Sequence, residues 1–267
     1  SLMGSLIKTE FKSTQAKRTV MKKSNVTFIA LFCLVVGTFA QTKTVNVDPF
    51  EKIIISPHIE VELVQGSEES VVIENAKVSL DKINIKVEGN TLRVYLDDAK
   101  TVTKSERVST DKWKGKKSIY NGTMATAKIT YKTLKNLSIR GEEIVKVKSA
   151  MEQDDLKLSI YGESKVYFAD LTLQELNVSI YGESYLEISE GKVERQVFRA
   201  YGESEVNTSE MGNSETKITA YGESNFRVNV SDRLKVTCYG ETTINYTGDA
   251  DVDKGIVIGE AEIRKIG

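Results

Sequence analysis

A tetrapeptide that recurs at a fixed interval constrains the fold of this chain more than any other feature. Tyr-Gly-Glu-Ser occurs four times at intervals of 20 residues, and the variant Tyr-Gly-Glu-Thr follows 18 residues after the last copy. The copies begin at Tyr161, Tyr181, Tyr201, Tyr221 and Tyr239. Weaker echoes flank them at Arg140-Gly141-Glu142 and Ile258-Gly259-Glu260. Repeats of this length predict a solenoid, in which each unit contacts only its neighbours.

The apolar pattern within each unit predicts which kind of solenoid forms. Leu156, Leu158 and Ile160 alternate with polar residues, and the alternation returns at Val166 and Phe168. A period of two in short runs is typical of strands rather than helices. Each unit is therefore predicted to form three short strands separated by bends, with successive coils stacked in parallel about 4.8 Å apart.

The same alternation assigns side chains to the two faces of each strand. The glycine of each repeat is expected at a corner with positive φ, and the serine is expected to point inward, where its hydroxyl can bond to the backbone. The predicted interior residues are Leu158, Ile160, Val178, Ile180, Phe198, Ile218, Val236 and Cys238. The repeat tyrosines and glutamates are expected to point outward and are the candidate binding residues: Tyr161, Glu163, Tyr181, Glu183, Tyr201, Glu203, Tyr221 and Glu223. Tyr239 and Glu241 continue the two rows.

The N-terminal region has the layout of a secretory signal peptide. Met21-Lys22-Lys23 is basic, residues 28–40 are uncharged and mostly apolar, and Thr38-Phe39-Ala40 resembles a cleavage site. The apolar run is shorter than the roughly 20 residues that span a bilayer. We therefore predict a signal peptide over 21–40 and no transmembrane span in the mature chain. Residues 1–20 are interpreted as a non-native or upstream extension. The expected destination is the periplasm, the outer surface or the medium.

The remainder, 44–267, is predicted to be one domain. Residues 44–130 are expected to form irregular N-terminal coils and residues 131–267 the regular repeats. The polar stretch from 101 to 122 is predicted to protrude as a hairpin or loop. The run from 256 to 266 is strand-like, so we expect either a strand that folds back as a cap or a homo-oligomer formed through this solenoid end.

Composition excludes several classes of function. Residues 1–40 contain six of the 37 basic residues and one of the 38 acidic ones, so the rest of the chain carries a net charge of −6. A negative body argues against a nucleic-acid partner, because phosphate binding requires clustered Lys and Arg. A single histidine excludes a multi-histidine metal site within one chain. We predict neither a metal nor a cofactor.

Several short segments carry a family resemblance. They are Phe50-Glu51-Lys52-Ile53, Ile59-Glu60-Val61-Glu62-Leu63, Gly89-Asn90-Thr91-Leu92 and Leu134-Lys135-Asn136-Leu137, followed by glycine-centred β repeats. The chain resembles the putative auto-transporter adhesin, head GIN domain family of exported Bacteroidota proteins over nearly all of 44–267. The resemblance implies an all-β, right-handed parallel β-helix-like solenoid with coils of about 20 residues, export, and no established catalytic residues. The family usually has Gly-Ser or Gly-Ala at the corner where this chain has Gly-Glu.

Two hypotheses for function follow. The first is an exported, non-enzymatic adhesin or surface-binding protein that engages an extended partner, such as a glycan or a protein on a surface. The alternative is a polysaccharide hydrolase or lyase on the same solenoid, for which two acids in unlike environments are required. The glutamate row could also be a solvated corner or a cation stripe. The tyrosine row could stack against sugar rings or only against itself.

Overall fold

Strands make up nearly all of the regular structure. The computed structural model describes residues 42–110 and 113–267. The predicted signal peptide and the segment before it therefore lie outside the described residues. Within the described part of the chain, no helix is long and apolar enough to cross a bilayer.

The part of the described chain before the repeats, up to Tyr131, contains nine strands and one short 3-10 helix at Leu80–Lys82. The strands are β1 (Lys43–Asn46), β2 (Lys52–Ile55), β3 (Ile59–Gln65), β4 (Ser70–Ala76), β5 (Ile83–Glu88), β6 (Thr91–Leu96), β7 (Ser105–Thr110), β8 (Trp113–Ser118) and β9 (Ala125–Tyr131).

The repeats form nine further strands. They are β10 (Asn136–Gly141), β11 (Ile144–Val147), β12 (Met151–Gly162), β13 (Lys165–Phe168), β14 (Leu171–Gly182), β15 (Tyr185–Ile188), β16 (Gly191–Tyr201), β17 (Ser204–Thr247) and β18 (Asp251–Lys265). Strands β11, β13 and β15 are short, whereas β12, β14, β16, β17 and β18 are long.

Successive coils pair in parallel with a register of about 20 residues. Ile160 of β12 lies beside Ile180 of β14, which lies beside Ala200 of β16. The pairing of β12 with β14 skips Asp154, so β12 contains two straight segments and β13 supplies a third. The parallel β-solenoid with three strands per coil, predicted from the sequence, is therefore confirmed.

The interior of the solenoid is filled by the predicted residues. All eight are buried, from Leu158 at the start of the series to Cys238 at its end. Aromatic side chains at Phe168, Phe198 and Phe226 occupy the same interior. Alternation of period two is sufficient to assign these positions, because successive side chains of a strand point to opposite faces and the apolar set points inward.

The first coils are not stacked in chain order. Strand β2 pairs in parallel with β6 on one side and β10 on the other, and β3 pairs in the same way with β9 and β11. The coil built from 52–65 therefore lies between one built from 91–131 and one built from 136–147. Beyond the outermost coil, β5 runs antiparallel to β6, β4 runs antiparallel to β9, and β1 runs antiparallel to β4. These antiparallel strands cover that end of the solenoid.

The polar stretch from 101 to 122 and the C-terminal run from 256 to 266 lie at the periphery of the solenoid. Of the predicted hairpin or loop in the polar stretch, the structure describes two strands, β7 and β8, which form a separate antiparallel pair. Strand β18 pairs in parallel with β17, with Ile258 beside Tyr239. Among the described residues no strand pairs with the other side of β18, so the folded-back cap is not observed. Self-association through this end stays a prediction.

Candidate binding face

The outward tyrosines form a continuous stack along one corner of the solenoid. We call Tyr161, Tyr181, Tyr201, Tyr221 and Tyr239 the Tyr ladder. Consecutive ring centroids lie 4.7 to 5.0 Å apart, and their planes differ by only 1 to 4°. The ring spacing matches the spacing of neighbouring strands, so the stacking follows directly from the parallel register.

A cation closes one end of this stack. Arg140 occupies the position of Tyr161 in the preceding coil, and its Cζ lies 4.6 Å from the Tyr161 ring centroid. A guanidinium over an aromatic face is attracted by the ring quadrupole. At the other end, Ile258 takes the tyrosine position in the coil that follows Tyr239.

Mutual stacking changes what the tyrosines can offer to a partner. Each internal ring is covered on both faces by its neighbours, yet Tyr181, Tyr201 and Tyr221 are 40%, 36% and 38% exposed. The exposed parts are therefore the ring edges and the phenolic hydroxyl groups. No free ring face is available at these three positions for a sugar to stack on, so the hypothesis of sugar stacking fails there. The ladder presents a row of hydroxyl donors and acceptors instead.

A corner glycine separates each ladder tyrosine from the glutamate that follows. These glycines have φ between 107 and 136°, which confirms the predicted positive φ. A Cβ on Gly162 would lie 2.3 Å from the carbonyl oxygen of Gly141 in the adjacent coil, and Gly182 has the same relation to Gly162. Only glycine therefore allows the coils to approach this closely at the corner.

The serine of each repeat fixes the corner from inside. Ser164 Oγ donates to the Gly141 carbonyl and Ser184 Oγ to the Gly162 carbonyl, both at 2.9 Å. The backbone N–H of Glu183 donates to the same Gly162 oxygen at 3.0 Å. These serines are buried, as predicted, but their acceptor lies on the neighbouring coil rather than in their own turn. Glycine and serine thus have a structural role in the repeat.

The glutamates of the repeat make no comparable contact. We call Glu163, Glu183, Glu203, Glu223 and Glu241 the Glu ladder. All five are exposed. None of them forms an ion pair with another side chain of the described residues. Their carboxylates repeat once per coil beside the Tyr ladder, and no described contact explains them structurally.

A shallow groove of about 300 Å³ runs along the Glu ladder. Four ladder glutamates line it together with Lys165, Tyr185, Glu205 and Asn225. The Tyr185 hydroxyl donates to Glu187. Burial, as the main cause, and the Glu187 carboxylate, as the second cause, raise the pKa of Tyr185 to about 12. Carboxylates outnumber cations here, so the groove disfavours polyanions and favours neutral or cationic partners. The described residues contain no group of three or more His, Cys, Asp or Glu placed to hold a metal ion.

A second cavity, of about 430 Å³, lies where the ladders begin. His58, Thr103, Glu143, Tyr161 and Glu163 are among its lining residues. The Glu143 side chain is only 6% exposed, and its Oε1 lies 3.8 Å from His58 Nδ1. Its Oε2 accepts the backbone N–H of the preceding residue at 3.0 Å. No sequence pattern indicates this buried carboxylate, because lining residues such as His58 and Thr103 are distant from it along the chain.

His58 holds neighbouring loops together. Its Nδ1 lies 2.8 Å from the carbonyl of Gly122 and its Nε2 lies 2.6 Å from Thr103 Oγ1. A carbonyl only accepts, so Nδ1 carries a proton and donates it to Gly122, while Nε2 shares a hydrogen bond with the threonine hydroxyl. Both ring nitrogens are therefore engaged, which gives this histidine a structural role.

Comparison with known families agrees with the resemblance seen in the sequence. The family model described as "Putative auto-transporter adhesin, head GIN domain" matches residues 49–250, well over half of the chain. None of the curated proteins matches the sequence.

Solved structures share the fold at low sequence identity. A putative adhesin from Bacteroides fragilis is 20% identical, with a TM-score of 0.71 over 86% of this chain and 98% of its own. A putative lipid binding protein from Parabacteroides distasonis is 17% identical, with a TM-score of 0.61 over the same shares. A putative adhesin from Parabacteroides merdae is also 17% identical, with a TM-score of 0.57 and again the same shares. At these identities, the likeness establishes the fold.

Proposed function

The chain belongs to the putative auto-transporter adhesin, head GIN domain family, and on that premise we propose that it is an exported, non-enzymatic adhesin. Its Tyr and Glu ladders form the face that engages an extended partner. The adhesin descriptions of the family and of two structural neighbours support this proposal, as does the signal peptide predicted over 21–40.

The observation that carries the proposal is the unpaired Glu ladder. Like charges about 4.8 Å apart repel by roughly 0.9 kcal/mol per neighbouring pair in water. The glycines and serines build the corner and the tyrosines stack, but the glutamate side chains have no ion-pair partner among the described residues. The mutual repulsion of these charges lowers the stability of the fold, and no structural contact compensates for it. Residues that lower stability in this way are typical of functional sites.

The spacing of the two ladders and the negative charge of the groove indicate which chemistry the partner has. Equivalent hydroxyl and carboxylate groups recur once per coil, which suits a polymer with a repeating unit better than one small molecule. The negative groove disfavours polyanions, and the covered ring faces of the internal tyrosines leave little surface on which a sugar can stack. Glycan hydroxyls can donate to the carboxylates and exchange hydrogen bonds with the phenols. We therefore favour a neutral or amine-bearing glycan strand. The polar character of this face favours such a polymer over the lipid named for one structural neighbour.

Retention by polysaccharides tests the proposal directly. The protein is applied to a glycan array and to insoluble polysaccharides, together with the double variant Glu183→Gln and Glu203→Gln. The matched control is Glu190→Gln with Glu210→Gln, since these two exposed acids also recur after 20 residues but lie away from the Tyr-Gly-Glu corner. We expect retention by at least one polymer, lost in the ladder variant and kept in the control. Equal retention of all three proteins, or of none, would reject the binding role of the ladder.

One observation favours the enzyme alternative. The cavity beside His58 contains a buried acid, Glu143, together with the exposed acids Glu142 and Glu163. Acids in unlike environments are what a polysaccharide hydrolase requires, because one must donate a proton while another stays ionised. A hydrolysis screen of polysaccharides with the protein and with Glu143→Gln tests this candidate. Activity that disappears in the variant would establish it, and absence of hydrolysis in both proteins would dismiss it.

A further inference from the structure

The two ends of the described solenoid differ in how their strands are covered. At one end the outermost coil is covered by antiparallel strands β4 and β5, with β1 beyond β4. At the other end β18 pairs with β17, and among the described residues nothing pairs with its other side. A strand with one unpaired side presents a row of N–H and C=O groups to another chain.

Exposed apolar side chains concentrate on this same strand. Ile256 is 59% exposed and Ile258 is 62% exposed, with Val257 between them also exposed. Elsewhere in the described residues the large exposed apolar side chains are three ladder tyrosines, Val102 and Ile266. The pairing of β18 with β17 contains a register shift before Val257, which brings an additional residue to the surface here.

We propose that β18 pairs antiparallel with β18 of a second copy, about a two-fold axis through Ile258. Because the opposite end is covered by antiparallel strands, head-to-tail stacking is blocked and the association closes as a dimer. A two-fold interface uses the same surface on both subunits, so the exposed apolar strand is buried against itself.

Charge complementarity favours this register, in which Glu262 and Lys265 add a contact to the ion pairs that they form with Arg264 and Asp249 of their own chain. With Ile258 on the axis, Lys254 lies opposite Glu262 of the partner subunit and Asp251 lies opposite Lys265 of the partner subunit. Each pair occurs twice in the dimer, and opposite charges across an antiparallel pair stabilise it. Shifting the register by one residue in one direction places Asp251 opposite Arg264 of the partner subunit but Asp253 opposite Glu262 of the partner subunit, so an attraction is offset by a repulsion. Shifting it in the other direction leaves a single opposite pair, Asp253 with Arg264 of the partner subunit.

The dimer has a consequence for the candidate binding face. The axis passes through the tyrosine position of the last coil and lies perpendicular to the direction of stacking. The Tyr ladders of the two subunits therefore fall on one line, with the two Ile258 side chains between them. If the ladders bind a polymer, as the proposed function requires, dimerisation doubles the length of the face and adds avidity. Dimerisation itself does not depend on that function.

Oligomeric state is measured by light scattering and sedimentation equilibrium in the absence of any glycan. We expect twice the chain mass for the protein and the chain mass for Ile258→Lys, which places like charges on the axis. Val102→Lys is the matched control, because Val102 is the most exposed of the large apolar residues and lies away from β18; it should stay dimeric. A monomeric protein at all concentrations, or an undiminished dimer in Ile258→Lys, would overturn the proposal.

Two further experiments, a charge reversal and a cross-link, test the register with variants whose results do not depend on a loss of folding. Lys254→Glu should weaken the dimer at least tenfold, and adding Glu262→Lys should restore it. Ile258→Cys should form a disulfide-linked dimer on oxidation, since opposed residues of an antiparallel pair have Cα atoms about 4.5 to 5.5 Å apart. Val102→Cys should stay unlinked. Failure of both the charge rescue and the cross-link would refute this register.

Discussion

The rings of Tyr181 and Tyr201 lie parallel within 1°, with their centroids 5.0 Å apart. Stacked pairs stabilise by about 0.5 to 1.5 kcal/mol each, and these two residues take part in three pairs. Replacing both with Ser should lower the free energy of unfolding by about 2 to 4 kcal/mol. Replacing both with Phe keeps the stack and should change it by less than about 1 kcal/mol. Denaturant titration measures the free energy of unfolding of both double variants. An equal loss in the Ser and Phe variants would contradict a stabilising role of the ring stack.

Removing one charge from the Glu ladder should stabilise the protein. Glu183 has a ladder glutamate on each side, so Glu183→Gln relieves two repulsions and should raise the free energy of unfolding by about 1 kcal/mol at low salt. The gain should shrink as salt is added, because screening shortens the range of the repulsion.

The control for this variant is Glu175→Gln. Glu175 Oε2 lies 3.7 Å from Arg195 Nη1, so this substitution removes an attraction instead of a repulsion. Its stability should be unchanged or slightly lower. A loss of stability in Glu183→Gln would show that the ladder carboxylate has a structural partner.

Two serines in equivalent positions should respond with opposite signs. Ser184 Oγ donates to the Gly162 carbonyl, whereas Ser224 Oγ is buried with no hydrogen-bond partner among the described residues. Ser184→Ala should therefore lower the free energy of unfolding by about 1 kcal/mol, and Ser224→Ala should be neutral or stabilising. Equal losses in thermal or chemical unfolding would contradict this difference.

Tyr131 gives the protein a specific alkaline sensitivity. Burial raises the pKa of Tyr131 to about 12, above the ordinary value of about 10. The unfolded chain therefore loses this proton first, so the stabilisation is complete below about pH 10 and is lost as the pH rises toward 12.

Tyr131→Phe should flatten this part of the stability profile. It should not lower stability at neutral pH, because the Tyr131 hydroxyl has no partner among the described residues. Unfolding measured from about pH 8 to about pH 12 tests both statements. If Tyr131→Phe leaves the pH dependence of the free energy of unfolding unchanged, the loss of stability at alkaline pH is due to other groups.

The regular coils were predictable because each repeat carries its own local information. Alternation placed Ile160 and Ile180 inside, and the Gly-Glu-Ser sequence placed the serine inside and the glutamate outside. The register then follows from the 20-residue interval. Face assignment needed no knowledge of distant residues.

What escaped prediction depends on contacts between distant segments. No repeat in the sequence indicates that the coil of 52–65 lies between those of 91–131 and 136–147. The cavity at His58 and Glu143 depends on the same arrangement, since it brings Thr103 and Gly122 to the start of the ladders. Mutual stacking of the tyrosines was not predictable either, because only the ring orientations in the structure distinguish it from stacking on a partner.

Adhesion of cells that display the protein shows whether the Tyr and Glu ladders bind a partner. The informative variant changes Tyr181 and Tyr201 to Phe and Glu183 and Glu203 to Gln together, which removes hydroxyls and charges while keeping ring stacking and side-chain shape. With folding confirmed by thermal unfolding and display levels matched, adhesion to a glycan-coated surface should fall at least tenfold relative to the unchanged protein. Unchanged adhesion by the folded variant would contradict the account and leave both ladders as structural features of the solenoid.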